Sequence, residues 1–350
     1  MDPVLSVVIP VYNEEAVIEE TARRLIRVLG QGADSFELVF VDDGSRDHSF
    51  ALASALARCD ERVTAIALSR NFGHQVAVSA GLREARGQAV VVIDADLQDP
   101  PEVIPRMVEL WKQGYEVVYG QRTGRRGESI FKRASARLFY RVLNSLTDQS
   151  IPVDVGDFRL LDRTVCDALN RMKESHRYLR GMVSWLGFTQ IGLPFERQPR
   201  FAGATKYPLR KMLRFAADGI LSFSAKPLRM AIWLGLLFSL AGLAYLVWVL
   251  FQKIALRATV EGWASLMGVL ILGNGMTLFV LGVVGQYVGR IYDEVKERPL
   301  YAVRAVVRKD SSRLEASTQP GTVAPGRQGS QKDRVVGHST SGGAHGDLHT

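Results

Sequence analysis

Residues 4 to 120 alternate between short runs of apolar, β-branched residues and longer segments in which apolar residues recur with helical spacing. The short runs predict β-strands at Leu5 to Val11, Glu37 to Asp42, Val63 to Leu68, Gln88 to Asp94 and Glu116 to Tyr119. The segments between them predict helices near 15–29, 47–58, 74–85 and 101–113. This alternation indicates crossover units, and hence an α/β fold with a mainly parallel sheet that helices cover on both faces.

Two long runs without a charged residue follow, from Met230 to Phe251 and from Gly262 to Gly289. Each run can cross the hydrocarbon core of a membrane, which takes about 20 helical residues. The alternative, a pair of buried core helices, is disfavoured because soluble helices rarely stay uncharged on every face for this length. The acidic, strand-like start of the chain is not the pattern of a signal peptide.

Basic residues flank these two runs unevenly. Only Lys253 and Arg257 lie between the runs, whereas larger groups lie on either side of the pair. By the positive-inside rule, both chain ends are expected in the cytoplasm, and the chain is expected to be an integral inner-membrane protein with two spans. The flanking basic residues are Lys206, Arg210, Lys211, Arg214, Lys226 and Arg229 before the first run, and Arg290, Lys296, Arg298, Arg304, Arg308 and Lys309 after the second.

These patterns predict five segments. Residues 1–205 are expected to form the globular domain, and residues 229–289 the two spans with a short external loop. Residues 206–228 have the apolar face and basic residues of helices lying on an anionic membrane, although a helix packed on the domain is an alternative. Residues 290–308 would form a cytosolic segment, and the Gly- and Ser-rich residues 309–350 a disordered tail.

Composition and charge narrow the class of protein. The 350 residues have a net charge of +8 and are 47% hydrophobic, which excludes disorder of the whole chain. Cys59 and Cys166 lack CxxC spacing, so they are expected to be buried small hydrophobic residues rather than parts of a disulfide or metal site. The region from Arg122 to Arg141 is strongly basic but has no nucleic-acid motif, which favours the phosphate of a lipid or a nucleotide as its partner over nucleic acid.

Polar residues follow the ends of the first two predicted strands, where ligands collect in open α/β sheets. Tyr12 comes just after Pro10 and offers a flat ring and a hydroxyl to a planar ligand such as a nucleobase. Asp42 ends the second strand, where a carboxylate could accept a base N–H or a ribose hydroxyl. A turn followed by a helix cap explains the sequence from Asp42 to Ser45 equally well.

Asp94 and Asp96 follow the fourth strand. Because residues i and i+2 of an extended backbone share a face, the two carboxylates can point to one place. Such a pair repels unless a cation or a proton intervenes, and oxygen ligands favour Mg²⁺ or Mn²⁺ that shares its shell with substrate phosphate. A helix-capping turn before Pro100 is the alternative.

The motifs, taken in order, resemble those of the family 2 glycosyltransferases with the GT-A fold. They are SVVIPVYNEE, VDDGS, SRNFGHQVAVSAGL, DADLQDPPE, YGQR, VGDFRLL, RYLRGMVSWLG and AGATKY. The chain is most similar, over residues 4–300, to the polyisoprenyl-phosphate glycosyltransferases, which include dolichol-phosphate mannosyltransferase and bacterial GtrB-type glucosyltransferases. This resemblance implies inverting transfer of a sugar from a nucleotide-sugar donor to a polyprenyl phosphate such as undecaprenyl phosphate, by a homotetramer. We expect the donor to be UDP-glucose, and GDP-mannose is the main alternative.

The same resemblance implies roles for individual residues. The nucleotide sugar would be held by Pro10, Tyr12, Glu14, Asp42, Asp94, Arg200 and Lys206, and the divalent metal by Asp94, Asp96 and Gln98. The acceptor phosphate would be bound by Arg122, Arg133 and Ser135. Asp157 would be the catalytic residue, an acidic side chain beside the acceptor. An acceptor phosphate with a second pKa near 6 is largely ionised at neutral pH, so Asp157 either acts as a general base or orients the acceptor or Arg159. The alternative is a buried ion pair of Asp157 with Arg159 or another basic residue.

Three other functions are less well supported. A processive polysaccharide synthase would need more than two spans to form a channel, and the QxxRW sequence is absent. An inactive scaffold would have no need of Asp94, Asp96 and Asp157. A nicotinamide dehydrogenase is not supported, because no GxGxxG follows the first strand.

Overall fold

The computed structural model describes residues 3–32, 34–123, 155–198, 226–255 and 262–309. Its strands are β1 (Leu5–Val11), β2 (Phe36–Asp42), β3 (Val63–Leu68), β4 (Ala89–Val92), β5 (Val117–Thr123), β6 (Val155–Asp162), β7 (Gln190–Glu196) and β8 (Val303–Val307). Its α-helices are α1 (Ile18–Leu29), α2 (Ser49–Cys59), α3 (His74–Glu84), α4 (Ile104–Lys112), α5 (Arg163–Arg171), α6 (Leu179–Leu186), α7 (Lys226–Ala255) and α8 (Trp263–Val295). A single 3-10 turn, Pro101–Val103, precedes α4.

The strands form one sheet in the order β7-β5-β6-β4-β1-β2-β3-β8. Parallel pairs join β1 to β2 and β4, β2 to β3, and β5 to β7. Strand β6 lies antiparallel between β4 and β5, and β8 lies antiparallel to β3 at one edge. The predicted α/β sheet is therefore confirmed, and β6 and β8 make it mixed.

Strand β6 lies within a region whose sequence is not regular enough to predict a strand. It carries two ionisable residues, Asp157 and Arg159, in its middle, and Arg159 is 5% exposed. Charged side chains seldom occupy buried strand positions unless they are paired, so they interrupt the apolar run that marks a strand. The pairing of Val92 with Arg159 carries Asp157 past the carboxyl end of β4.

Helices cover the sheet on both faces, which explains the nearly continuous apolar sequence of β1. One face packs against α1 and α4 through residues that include Leu25 and Met107. The opposite face packs against α3, α5 and α6 through residues that include Val78, Cys166 and Met182. The buried position predicted for Cys166 is confirmed.

The prediction that Cys59 is buried was wrong. Cys59 is exposed, because it is the last residue of α2 and lies beyond Ala53 and Ala57, which face the core. Nothing in the described structure assigns Cys59 a function.

Helices α7 and α8 contain two apolar stretches, Leu228–Gln252 and Leu266–Val295, with mean hydropathies of 2.2 and 2.1. Both stretches are long enough to cross a membrane, and in the most apolar 18-residue window of each the share buried within the protein is 0%. Core helices of soluble domains are instead covered by their neighbours. The interfacial helix predicted at 206–228 lies outside the described residues except for its final residues, which begin α7, and nearly all of the predicted tail also lies outside them.

Candidate active site

The chain segments that follow β1 and β2 are tied together. The backbone N–H of Asn13 donates to Ser45 Oγ at 2.9 Å, and Asn13 Oδ1 accepts the N–H of Arg46 at 2.9 Å. Asn13 adopts φ 53, in the left-handed region that asparagine tolerates better than most residues. Tyr12, beside it, remains 39% exposed. The ring of Tyr12 is therefore available to a ligand at the carboxyl edge of the sheet.

Asp42 and Asp43, at the end of β2, are both buried but differ in their partners. Asp43 accepts the N–H groups of Phe72 and Gly73 at 2.7 and 2.9 Å. Asp42 Oδ2 accepts the N–H of Ser45 at 3.2 Å, whereas its Oδ1 accepts no hydrogen bond from the part of the chain that the structure describes. Burial raises the pKa of both carboxyls. A buried acceptor left without a donor is costly, so Asp42 is suited to accept an N–H or O–H from a ligand.

Two other residues predicted to bind the nucleotide sugar, Pro10 and Glu14, lie at the same carboxyl edge of the sheet. Pro10 is within β1 and pairs in register with Val41 of β2. The backbone N–H of Glu14 donates to Ser49 Oγ at 2.9 Å. Ser45 does not cap α2, which begins at Ser49, so the helix-cap interpretation of this turn is not supported.

The loop after β4 carries Asp94, Asp96 and Gln98. The N–H of Gln98 donates to Asp96 Oδ1 at 3.1 Å, and the carbonyl of Gln98 accepts the N–H of Gln198 at 2.9 Å. Burial raises the pKa of Asp94, and the charges of Asp157 and Asp96 raise it further, while His74 opposes them. A cation placed here would relieve this repulsion.

The donor set at this loop fits a divalent cation that is only partly bound by protein. Within the described ranges, no three or more His, Cys, Asp or Glu side chains are arranged to hold a metal ion. Mg²⁺ and similar cations are commonly bound by one or two carboxylates and complete their shells with substrate phosphate and water. Asp94, Asp96 and the amide of Gln98 offer oxygen atoms of this kind.

Asp157, whose side chain is 13% exposed, is the centre of a partly buried ionic cluster. Its Oδ1 accepts a hydrogen bond from Arg180 Nε at 2.9 Å, and its Oδ2 lies 3.1 Å from His74 Nε2 and 3.2 Å from Gln75 Nε2. His74 Nε2 also lies 3.8 Å from Asp94 Oδ1. His74, the first residue of α3, thus lies between Asp94, which follows β4, and Asp157, which lies within β6.

The charges in this cluster stabilise one another. Burial by itself would lower the pKa of His74, but the hydrogen bond to Asp157 and the charge of Asp94 outweigh it and raise the pKa to about 9. Burial would likewise raise the pKa of Asp157, but Arg180 and His74 hold that pKa well below 3.8. At neutral pH the cluster therefore contains an imidazolium and a carboxylate. A carboxylate so strongly stabilised is a weak general base.

Arg159 does not replace these partners. Its side chain is buried, and its Nη2 donates to the carbonyl of Gly156 at 3.1 Å. Burial lowers the pKa of Arg159 to about 10. Arg180 is the arginine that hydrogen-bonds Asp157, so of the predicted partners, Arg159 or another basic residue, the ion pair is made by another basic residue.

Another buried carboxylate, Asp99, lies between two arginines. Arg122 Nη2, at the end of β5, is 3.5 Å from one oxygen, and Arg197 Nε, just after β7, is 3.7 Å from the other. Asp99 is completely buried, and burial raises its pKa to about 6 although both arginine charges oppose this. The contact fixes Arg122, the predicted acceptor-phosphate residue, beside the loop that carries Asp94 and Asp96.

The described site residues all follow carboxyl ends of parallel strands or lie beside them. Sequence reasoning missed His74, Gln75 and Arg180, although each belongs to a motif noted above. The available signal for His74 was its position as a polar residue shortly after the carboxyl end of β3. The predicted residues Arg133, Ser135, Arg200 and Lys206 lie outside the described residues.

Comparison with known proteins identifies two regions of the chain. Residues 6–169 match glycosyl transferase family 2, and residues 226–291 match the GtrB C-terminal hairpin. The uncharacterized glycosyltransferase YkcC of Bacillus subtilis (strain 168) is 52% identical, over 88% of this chain and 96% of that protein. A bactoprenol glucosyl transferase of Shigella phage SfII is 36% identical, over 86% of this chain and 97% of that protein.

The chain also matches a solved structure at low sequence identity. That structure is glucosyl-3-phosphoglycerate synthase from Mycobacterium tuberculosis in complex with Mn²⁺, UDP and glucosyl-3-phosphoglycerate, with 20% identity and a TM-score of 0.43. The match covers 63% of this chain and 78% of that one. With its GT-A-like α/β sheet, the chain belongs to glycosyltransferase family 2, carries the GtrB C-terminal hairpin, and is a glycosyltransferase.

Proposed function

We propose that the chain transfers glucose from UDP-glucose to undecaprenyl phosphate at the cytoplasmic face of the inner membrane. The observation that carries this proposal is the position of His74 between Asp94 and Asp157, within 3.8 and 3.1 Å. This contact links the carboxylates assigned to the donor diphosphate and to the acceptor. The similarity to a bactoprenol glucosyl transferase over 86% of the chain supports the same acceptor class and sugar.

The donor half of the proposed site lies at the ends of β1, β2 and β4. Tyr12 would contact the uracil ring, and the free Oδ1 of Asp42 would accept a hydrogen bond from the nucleoside. Pro10 and Glu14 would complete the nucleoside pocket, and Arg200 and Lys206 would approach the diphosphate. A divalent cation, Mg²⁺ or Mn²⁺, held by Asp94, Asp96 and Gln98, would stabilise the charge that develops on the departing UDP.

The acceptor half would centre on Arg122, with Arg133 and Ser135. An oxygen of the acceptor phosphate attacks the anomeric carbon as the bond to the UDP oxygen breaks, so a single displacement inverts that carbon. The attacking phosphate is largely ionised at neutral pH and has little need of a base. We assign Asp157 the task of orienting His74 and Arg180, whose positive charges it holds at the site.

The two apolar helices would hold this site at the membrane. The most apolar window of each helix is not buried by the rest of the described protein, and basic residues flank the pair. Crossing by both helices would leave the catalytic domain and the residues after α8 in the cytoplasm. The domain would then receive a soluble nucleotide sugar from one side and a lipid phosphate from the other.

The test is transfer of label from a panel of nucleotide sugars to undecaprenyl phosphate by the purified full chain in detergent. One organic-extractable product from UDP-glucose supports the proposal. A product from GDP-mannose would identify GDP-mannose, instead of UDP-glucose, as the donor. A polymer would indicate a processive synthase. No product from any donor, with folded protein, would favour the inactive scaffold.

A further inference from the structure

The carboxyl-terminal end of α8 contacts the segment between α5 and α6. Glu294 Oε1 accepts the backbone N–H of Ser175 at 2.8 Å, and Glu294 Oε2 accepts the hydroxyl of the same serine at 3.0 Å. Beside this contact, His176 Nε2 lies 3.3 Å from Asp293 Oδ2. One carboxylate therefore accepts hydrogen bonds from both donors of a single residue, its N–H and its hydroxyl, which holds the segment in two directions.

This segment leads directly into the Asp157 cluster. Helix α6 begins at Leu179, whose N–H donates to Gln75 Oε1 at 3.1 Å. The next residue, Arg180, donates to Asp157 Oδ1, and Gln75 donates to Asp157 Oδ2. Only a short stretch of chain separates Ser175 from Arg180, so a displacement of the first residue has little room to relax before it reaches the second.

A second connection runs from the residues after α8 to His74. Strand β8 follows α8 and pairs with β3. The N–H of Ser69, the first residue after β3, donates to the carbonyl of Ala302 at 2.8 Å. The loop from Ser69 then reaches His74, the other cationic partner of Asp157. Both cations of the cluster thus follow points where the domain is attached to α8 or to the residues just after it.

We propose that the Glu294–Ser175 contact transmits the position of the apolar hairpin to the Asp157 cluster, which makes Glu294 a positioning residue for Arg180. The inference rests on the proposed function, since only a membrane-bound acceptor requires the site to be fixed relative to the hairpin. The lipid phosphate would be held at the membrane surface, whereas the donor is held by the strand ends. Misplacing the reacting groups by 1 Å can lower the reaction rate about 100-fold. A rigid connection between the strand ends that hold the donor and the hairpin in the membrane would prevent this loss.

The test compares Glu294→Ala with Glu294→Gln and wild type, using the full chain in detergent with UDP-glucose and undecaprenyl phosphate. Glu294→Ala removes both hydrogen bonds, and we expect kcat to fall about tenfold while KM for UDP-glucose stays within about twofold. Glu294→Gln can still accept the Ser175 N–H and can donate to its hydroxyl, so it should retain most of the activity. Equal activity of Glu294→Ala and wild type would overturn the inference.

Lys173→Ala is the matched control. Lys173 belongs to the same segment and reaches the same end of α8, but its ammonium lies 3.9 Å from Glu297 and both side chains are largely exposed, at 89% and 78%. Such surface pairs contribute little. Wild-type kcat in this variant is expected, and a loss as large as that of Glu294→Ala would show that any disturbance of the segment is sufficient, which contradicts a specific role for Glu294.

A double-mutant cycle separates positioning from simple loss of stability. If Glu294 acts through Arg180, Glu294→Ala should reduce kcat much less in an Arg180→Lys background than in wild type. Independent, multiplicative losses would contradict the inference. Should Glu294→Ala fail to fold, Ser175→Ala removes only the hydroxyl bond and enters the same cycle. Wild-type transfer to undecaprenyl phosphate is measured alongside. Absence of that product refutes the proposed function, whereas wild-type activity of Glu294→Ala refutes only the positioning role of Glu294.

Discussion

The imidazole Nε2 of His74 lies 3.1 Å from Asp157 Oδ2, although the two residues are 83 positions apart in the chain. His74 follows β3 and Asp157 lies in β6, and these strands are not neighbours in the sheet. The helix α3 carries His74 across the carboxyl edge to meet the carboxylate. This pair, completed by Arg180, explains why Asp157 stays ionised although its side chain is largely removed from solvent.

Replacing Asp157 with Asn should lower turnover and leave donor binding nearly intact. The amide keeps the shape of the carboxylate but loses the charge that holds His74 and Arg180, and we expect kcat to fall by about 10- to 100-fold. Steady-state transfer and direct titration with UDP-glucose measure the two effects separately. Loss of donor binding with normal turnover at saturation would contradict the assignment.

The stabilising effect of His74 should depend on pH. Its pKa in the folded protein is about 9, above the ordinary value of 6.5. The contribution is therefore fully present below pH 6.5, declines above it, and is lost as the pH passes about 9. Thermal unfolding of wild type and His74→Gln from pH 6 to 10 measures it, and the difference in Tm should shrink at the alkaline end. A difference that grows with pH would refute the assignment of a protonated His74.

Burial, rather than distance, should decide how strongly an acidic residue stabilises the domain. Asp99 lies 3.5 and 3.7 Å from its arginines but is completely buried. Asp99→Asn leaves these two partly buried cations without a counter-charge, so it should destabilise the domain by about 3 kcal/mol, the lower end of the cost of breaking a buried pair. The control is Asp34→Asn. Asp34 is closer to its partner, 2.7 Å from Lys112 Nζ, but that pair is exposed and should contribute no more than about 1 kcal/mol.

Denaturant unfolding of these two variants gives the comparison. Equal losses of unfolding free energy in Asp99→Asn and Asp34→Asn would show that burial does not control the strength of these pairs. Because Arg122 is also assigned to the acceptor, Asp99→Asn should in addition raise KM for undecaprenyl phosphate more than KM for UDP-glucose. A larger increase in KM for UDP-glucose than in KM for undecaprenyl phosphate would contradict the placement of Asp99 on the acceptor side of the site.

Local pattern was sufficient to predict the strands β1 to β5 and the carboxylates at their ends. Asp42, Asp94 and Asp96 directly follow apolar strands, so their position in space follows from parallel pairing. The contacts of Asp157 could not be predicted in the same way. They depend on an antiparallel strand that enters the sheet from a distant part of the chain.

Buried charge and distant pairing explain the other omissions. Arg159 interrupts the apolar pattern of β6, and Arg304 does the same in the short strand β8. Strand β8 also follows the two apolar helices, so nothing local indicates that the chain returns to pair with β3. Arg180 lies in an amphipathic helix, where an arginine is ordinarily a solvent-exposed residue.

The divalent metal is tested by removing either the ion or its ligand. Chelator should abolish transfer, and Mg²⁺ or Mn²⁺ should restore it in the wild type. Asp96→Ala should remain inactive when the ion is restored, because the change removes a carboxylate from the proposed ligand set. Full activity of Asp96→Ala without added metal would contradict the assignment of this loop.

Transfer of labelled glucose from UDP-glucose to undecaprenyl phosphate by the purified full chain tests the central claim most directly. The account predicts one labelled lipid that extracts into organic solvent, requires the divalent ion, and is strongly reduced in Asp157→Asn. Absence of that lipid from reactions with folded wild-type protein and the ion present would contradict it.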